Sequence, residues 1–540
     1  MRRVITASDH AFLVEAAPEE TPLALRGALA AIRGVTETVL GAATVLVVYD
    51  PAVTTGAAVA QRARMAQLHP DATTPTAAVN IPVTYDGADL AETAEHLGVS
   101  SSELVRRHQQ AQWRVAFAGF MPGFAYMTCD DPLFHVPRKS TPRVRVPAGS
   151  VGLAGPFTGI YPQQSPGGWQ LIGRTDAELW NLDHNPPALL TPGTRVRFLE
   201  APARQTHPKQ LPDAAPPAPT PAADHVHADY LHVVQALQLL VQDEGRPGYA
   251  AWGVAPSGVA DRGAMRAANR AVGNAPTAAV LEAMGPTVVR CQASGVMAFA
   301  GAHGTVTIVS AQGHERVVAP LIPAATFAGD EIRFDTPAQG LRYVIAVRGG
   351  ITVPPVLGSR STDTLSGLGP APLRAGDSIP VGPMYSAPHA VEPAPPLLDS
   401  AIPDAATQDA ATQGVHTRGV ATLTITRGPR DDWFTPESLV RLTTQTWQVT
   451  PQSNRVGLRL AGTESLVRQQ TDELPSEAVV RGSIQVPADG QPVIFLADHP
   501  LTGGYPVIAT VTSDTLDAAA QLAPGASIRF MLAGADESRD

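Results

Sequence analysis

Lysine is nearly missing from this chain. Of 39 basic residues in 540, only Lys139 and Lys209 are lysines, so arginine supplies almost all positive charge. The plain reading of the skew is a GC-rich coding bias. Its chemical consequence is that a phosphate or carboxylate must be held mainly by guanidinium forks and backbone N–H groups. Cysteine is equally scarce: Cys129 and Cys291 stand far apart and exclude a disulfide framework or a cysteine metal cluster. That scarcity predicts a reducing, cytoplasmic setting. No apolar run is long enough to span a bilayer, and the start, "MRRVITASDHAFLVEAA", has no uninterrupted signal-peptide core. A net charge of -10 argues against phosphate-driven nucleic-acid binding, even though "AEHLGVSSSELVRRH" has the form of a helix-turn-helix. The motifs G-x-x-x-x-G-K-[ST], G-x-S-x-G, H-E-x-x-H and C-x-x-C are absent.

The length requires several domains. "LPDAAPPAPTPAADHVHAD" reads as an extended linker, and a second Pro/Ala-rich stretch follows near residues 386–415. His225, His227 and His232 beside the first linker read as a solvated tract before a metal site. Residues 1–80 form a small α/β pattern around the β-branched run "ATVLVVYD". Two short helices follow, with Ser100 and Glu103 at capping-box spacing and Gly98 closing the first. Most of the remainder is β. A turn with glycine followed by an alternating strand recurs as "PGTRVRFL", "AGDEIRF", "AGDSIPV" and "PGASIRFML". This recurrence predicts a repeated β unit whose final strand closes a barrel.

What is present in concentrated form is glycine, proline and serine around single charged residues, next to strands. Aromatics make up 5% of the chain, yet "FAGFMPGFAYM" holds four in eleven residues around Pro122-Gly123. Phe120, Phe124 and Tyr126 there are candidates for an apolar wall, with Pro122 and Gly123 turning the backbone toward a small flat ligand. The other reading is that the rings fill a core. Arg143, Arg174, Arg360 and Arg455 are candidate clamps for phosphate or carboxylate, with Ser361, Asn454 and Tyr505 in the adjoining loops. Asp261, Glu477 and Asp498 are candidate catalytic or cation-binding acids. Each has a plainer reading. Asp261 fits a helix N-cap, Arg143 an exposed edge strand, and Asn454 a turn.

The segments "GFMPGFAY", "TPRVRVPAGSVGLAG", "TGIYP" and "SPGGWQLIGRT" resemble the B subunit of 5-oxoprolinase, the KipI-like, allophanate-hydrolase-subunit-1 family. "VQDEGRPGY", "GVAPSGVADRGAMRAANRAVGN", "LGSRSTD", "SNRVGLRLAG", "SEAVVRGSIQVP" and "TGGYPVIATV" resemble the C subunit of the same enzyme. This is the KipA-like, allophanate-hydrolase-subunit-2 family, with a biotin-dependent carboxyltransferase-like domain. Together they cover nearly the whole chain as a B–C fusion. The resemblance implies a mainly β protein with a small α+β domain. It would have a ferredoxin-like domain over 1–80 and a cyclophilin-like β-barrel over 81–205. A linker over 206–229, a barrel over 230–385, a linker over 386–415 and a last barrel over 416–540 complete it. It implies ATP-dependent opening of 5-oxo-L-proline to L-glutamate together with a partner like the A subunit of 5-oxoprolinase. The cofactors would be ATP and Mg²⁺, with no covalently attached biotin and no nucleic-acid or membrane partner, and a homo-oligomer is left open. The alternatives it carries are a carboxyltransferase-like component of a biotin-dependent urea or amide carboxylase, and a histidine-kinase inhibitor. "SDHA" (Ser8–Ala11), His303 and Pro500-Leu501 depart from the family pattern and bear on the substrate more than on the fold.

Overall fold

The computed structural model describes residues 2–68, 78–139, 141–201, 229–383 and 419–534. Both expected linkers fall outside the described residues apart from Asp229, as do His225 and His227.

The N-terminal unit runs β1 (Val4–Ser8), β2 (Ala11–Glu15), α1 (Pro22–Ala30), β3 (Val35–Leu40), β4 (Thr44–Tyr49) and α2 (Gly56–Met65). Its antiparallel sheet has the order β1-β2-β4-β3. A cyclic shift of the ferredoxin-like βαββαβ plan gives this ββαββα order. The central run is apolar on both faces for a reason. Val45, Val47 and Tyr49 pack with Leu25 and Leu29 of α1 and Val59 and Ala63 of α2. Leu46 and Val48, pointing the other way, pack with Ala250, Ala478 and Leu501 from the C-terminal half. Alternate side chains of one strand therefore serve two different cores.

The second unit is a seven-stranded sheet running from Gln170–Arg174 at one edge to Val79–Val83 at the other. The bridge between Thr84 and Arg174 joins those edges and closes the barrel. The helices Leu90–His96 and Ser101–Gln110 precede its second strand. Ser100 caps the latter through Glu103 N–H at 3.1 Å, and Gly98 takes φ +68, as the spacing predicted. The Glu103 carboxylate turns to Arg106 instead of completing the capping box. Residues 229–383 form a nine-stranded sheet, and 419–534 a closed seven-stranded barrel.

All four recurring phrases are a turn followed by a strand: Arg195–Glu200, Glu331–Phe334, Ser378–Pro380 and Ser527–Leu532. Two of them close barrels by pairing parallel with their unit's first strand, Arg195–Glu200 on Val79–Val83 and Ser527–Leu532 on Val420–Arg427. Ser378–Pro380 also returns to its unit's first strand, Asp229–Gln242, but antiparallel.

Candidate functional site

The acids and arginines singled out in the C-terminal half converge, but on one another. Arg455 donates to Asp498 at 2.9 and 3.1 Å, to Gly258 O at 2.6 Å, and to Glu282. Asp498 also accepts from Ser257 Oγ at 2.6 Å and from Thr364 N–H and Oγ1 at 3.0 and 2.6 Å. Burial alone would raise the Asp498 carboxyl; the Arg455 guanidinium outweighs it and holds the group below its usual range. Nearby, Ser361 and Ser359 donate to Asp243, which also accepts the Arg360 backbone N–H. The Arg360 side chain donates from Nε to Val353 O at 2.8 Å.

These bonds correct the expected roles. Asp261 is a helix cap, accepting Ala264 N–H at 2.8 Å and Gln521 Nε2 at 2.7 Å. Burial, and then Asp517, push its carboxyl up to about 6. Glu477 is held by Arg430, which also reaches Glu15 at 2.8 Å and so ties the last barrel to the N-terminal sheet. Asn454 is a turn residue, its Oδ1 accepting Val456 N–H at 2.8 Å. Arg143 bonds Asp89 at 2.6 Å, and Arg174 forms an exposed pair with Asp86 at 2.9 Å. Tyr505 is exposed under the Arg468 guanidinium. As placed, Asp261, Glu477, Asp498, Arg143 and Arg455 have hydrogen-bonding partners within the fold, while half-buried Arg360 is tied through Nε alone.

The aromatic stretch is a hairpin, Trp113–Ala118 and Ala125–Thr128, with its break in the connecting loop. Phe124 and Tyr126 are buried and do not form a ligand wall. Phe117 stacks on Tyr126 at 4.2 Å, while Phe124 meets Tyr161 and Trp169 edge-on at 5.3 and 5.4 Å. Phe120 is half-buried against Phe124, at φ 65, a left-handed conformation unusual for a bulky residue. The loop is a joint between units. Gly123 N–H donates to Trp252 O at 2.9 Å, and a Cβ on Gly119 would lie 2.3 Å from Thr502 Oγ1. Pro122 and Gly123 thus shape a close approach of three chain segments rather than a binding surface. Burial pushes the Tyr126 phenol up to about 12, moderated by Arg138 and by the Thr502 and Ser476 hydroxyls.

Next to this joint lies a cavity of about 700 Å³ walled by both halves of the chain. The N-terminal unit contributes Glu20–Leu23 and Gly41–Ala43, and the first barrel contributes Arg114–Ala116, Thr128, His135, Arg138 and Ala154–Phe157. The last barrel contributes Glu473–Ser476. Phe157 belongs also to the ring cluster, edge-on to Phe117 and Tyr126. Arg138 Nε meets Glu473 at 2.8 Å across the boundary between halves, with 42% and 59% of the two side chains exposed. Glu20 is committed to Arg2 at 2.6 Å. The start of α1, capped by Thr21 through Ala24 N–H at 3.2 Å, borders the space. Volume, apolar lining and a few charged groups suit a small-molecule site. The arginines on this wall are Arg114 and Arg138; none of Arg143, Arg174, Arg360 or Arg455 lines it. Arg138 was within reach of the sequence, since it stands in "PRKSTPRVRV"; nothing local marked Arg114 or His135.

Barrels of this kind, joined in this order, define a carboxyltransferase-type architecture. Residues 252–532 match the family model "Carboxyltransferase domain, subdomain A and B", and residues 2–190 match "Carboxyltransferase domain, subdomain C and D". The chain belongs to this carboxyltransferase-domain family, laid out as a segment like the B subunit of 5-oxoprolinase followed by one like its C subunit. It is 48% identical over 124 residues to the 5-oxoprolinase B subunit of Escherichia coli O157:H7, a match covering 22% of this chain and 57% of that relative. It is 31% identical to the 5-oxoprolinase C subunit of Escherichia coli (strain K12), over 57% of this chain and 93% of that one. Urea amidolyase of Lachancea kluyveri is 32% identical over 54% of this chain and 16% of its own length. Among solved structures, TTHA0988 superposes with a TM-score of 0.78 at 32% identity, over 98% of this chain and 100% of that one. No helix among the described residues is long and apolar enough to cross a membrane.

Proposed function

We propose that this chain is the B–C component of an ATP-dependent 5-oxoprolinase. It would hold 5-oxo-L-proline in the junction cavity and prepare it for hydrolysis to L-glutamate with a partner like the enzyme's A subunit. One observation carries the reading: segments resembling the B and C subunits are joined here, and the cavity is walled by both. A lactam is a stabilised amide with a poor leaving group. In this reading the γ-phosphoryl group of ATP passes to the lactam carbonyl oxygen and ADP leaves. Water adds at that carbon and the ring C–N bond breaks, leaving an acyl phosphate that a second water hydrolyses to glutamate and phosphate. Such chemistry asks for positioning and charge neutralisation. Arg114 and Arg138 are the guanidinium groups at the cavity wall. No group of three or more His, Cys, Asp or Glu suited to a metal occurs among the described residues. In this reading Mg²⁺ arrives with the nucleotide, as it commonly does.

The family name and the urea amidolyase relative favour a second reading, transfer of a carboxyl group from biotin to an amide. A biotin-bearing lysine stands between small or Met residues, and neither Lys139, which is bonded to Asp89 and Glu92, nor Lys209 has that sequence setting, so in this reading the carrier would be another chain. ADP release on adding 5-oxo-L-proline, measured with and without a 5-oxoprolinase A-type protein, tests the first reading. Avidin-sensitive carboxylation of urea with an added biotin carrier, and no ADP release with the lactam, would replace it with the second.

A further inference from the structure

We infer that Arg138 is the carboxylate anchor of the junction cavity and that Glu473 occupies its place until an anionic ligand arrives. The inference rests on the oxoprolinase reading and names the substrate group that the site selects. The cavity brings Arg138 and Arg114 and the N-terminal end of α1 beside apolar walls at Ala154–Phe157 and Leu474. Of the two acids at its edge, Glu20 is fixed by Arg2 and by Ala17 N–H. Glu473 is held through Arg138, and that pair is wet, with more than half of the Glu473 side chain exposed.

A solvent-exposed ion pair contributes little, so a ligand carboxylate can take over the guanidinium at small cost. A planar fork donating to a carboxylate in a half-enclosed site is a stronger arrangement than the one it replaces. The apolar walls suit the ring methylenes of a small lactam acid. Because Arg138 and Glu473 come from opposite halves, the exchange would also release one tie between the first and last barrels at the moment of binding.

The two partners therefore have opposite expected effects, which a merely structural ion pair would not give. In calorimetric titration of the full chain with 5-oxo-L-proline, Arg138→Gln should weaken binding by about tenfold or more. Glu473→Gln, which removes the competing carboxylate, should tighten it by about two- to fivefold. Binding of 2-pyrrolidinone, the same ring without the carboxylate, should change in neither variant. Binding of 5-oxo-L-proline with an unaltered Kd in Arg138→Gln, or weakened binding in both variants, overturns the anchor alone. No binding to the wild-type chain overturns the oxoprolinase reading and the anchor with it.

Discussion

Between the two units of the C-terminal half, Arg455 and Glu282 meet with Asp498 in a node where the Arg455 and Asp498 side chains are 2% and 0% exposed. Between the first barrel and the last, Arg138 meets Glu473 with 42% and 59% exposed. The residue types are alike and both contacts cross a domain boundary. Burial separates them. The dry node is surrounded by Ser257, Thr364 and Gly258, and each bond compensates a charge that cannot reach water. Such a group cannot turn to a ligand without stranding its partner. The wet pair loses little on opening, since water replaces either member. A matched charge in a core is scaffold, and a matched charge at a cavity mouth is available chemistry.

The comparison breaks most readily at the dry node. Arg455→Met leaves Asp498 and Glu282 without their shared cation, and should cost about 3–5 kcal/mol of stability in chemical denaturation. Near wild-type stability would mean that the node is hydrated and open, and would restore Asp498 as a site residue. Phe124→Ala should cost a similar 3–5 kcal/mol, or about that, because the ring is buried among Tyr126, Tyr161 and Trp169. Its Kd for 5-oxo-L-proline should move far less than its Tm, and the reverse would return the ring to the ligand wall.

Acid gives a smaller effect. His108 and His499 are buried, which depresses their imidazoles to about 3 and about 4. An unfolded histidine takes up its proton near pH 6.5, whereas these folded ones resist. Their contribution is complete above that pH and is lost as pH falls, by about 2 kcal/mol each at pH 5. Asp261 works in the opposite sense: its carboxyl, raised to about 6, costs stability above that pH and less below it. Tm should therefore fall from pH 7 to pH 5, and a His108→Gln variant should lose part of that slope even if it is less stable throughout. The smallest expected effect is at the wet pair. Arg138→Gln should change stability by about 1 kcal/mol or less while abolishing the carboxylate preference. A large loss of Tm would make the pair structural and erase the distinction between the two boundaries.

Local order was legible where its cause is local. Ser100 and Asp261 stand where N-caps belong, because a side-chain oxygen three residues ahead of an N–H needs no distant partner. The recurring glycine turn and alternating strand announce the barrel strands for the same reason. The site was not legible in that way. Arg455 looked like a clamp and is a buried strut, because its partners Glu282 and Gly258 lie 173 and 197 residues away. The rings of "FAGFMPGFAYM" looked like a wall around a break, and the break turned out to be a joint against Trp252 and Thr502.

The sequence by itself determined the family, the β-rich build and the fact that arginine would be the main cation at any anion site. Composition, capping and strand alternation are short-range properties and survive without coordinates. Which arginines remain reachable was decided only by the tertiary structure. Guanidinium groups differ in use according to whether folding matches their charge in the dry interior or leaves it at a wet edge, and that depends on contacts hundreds of residues apart.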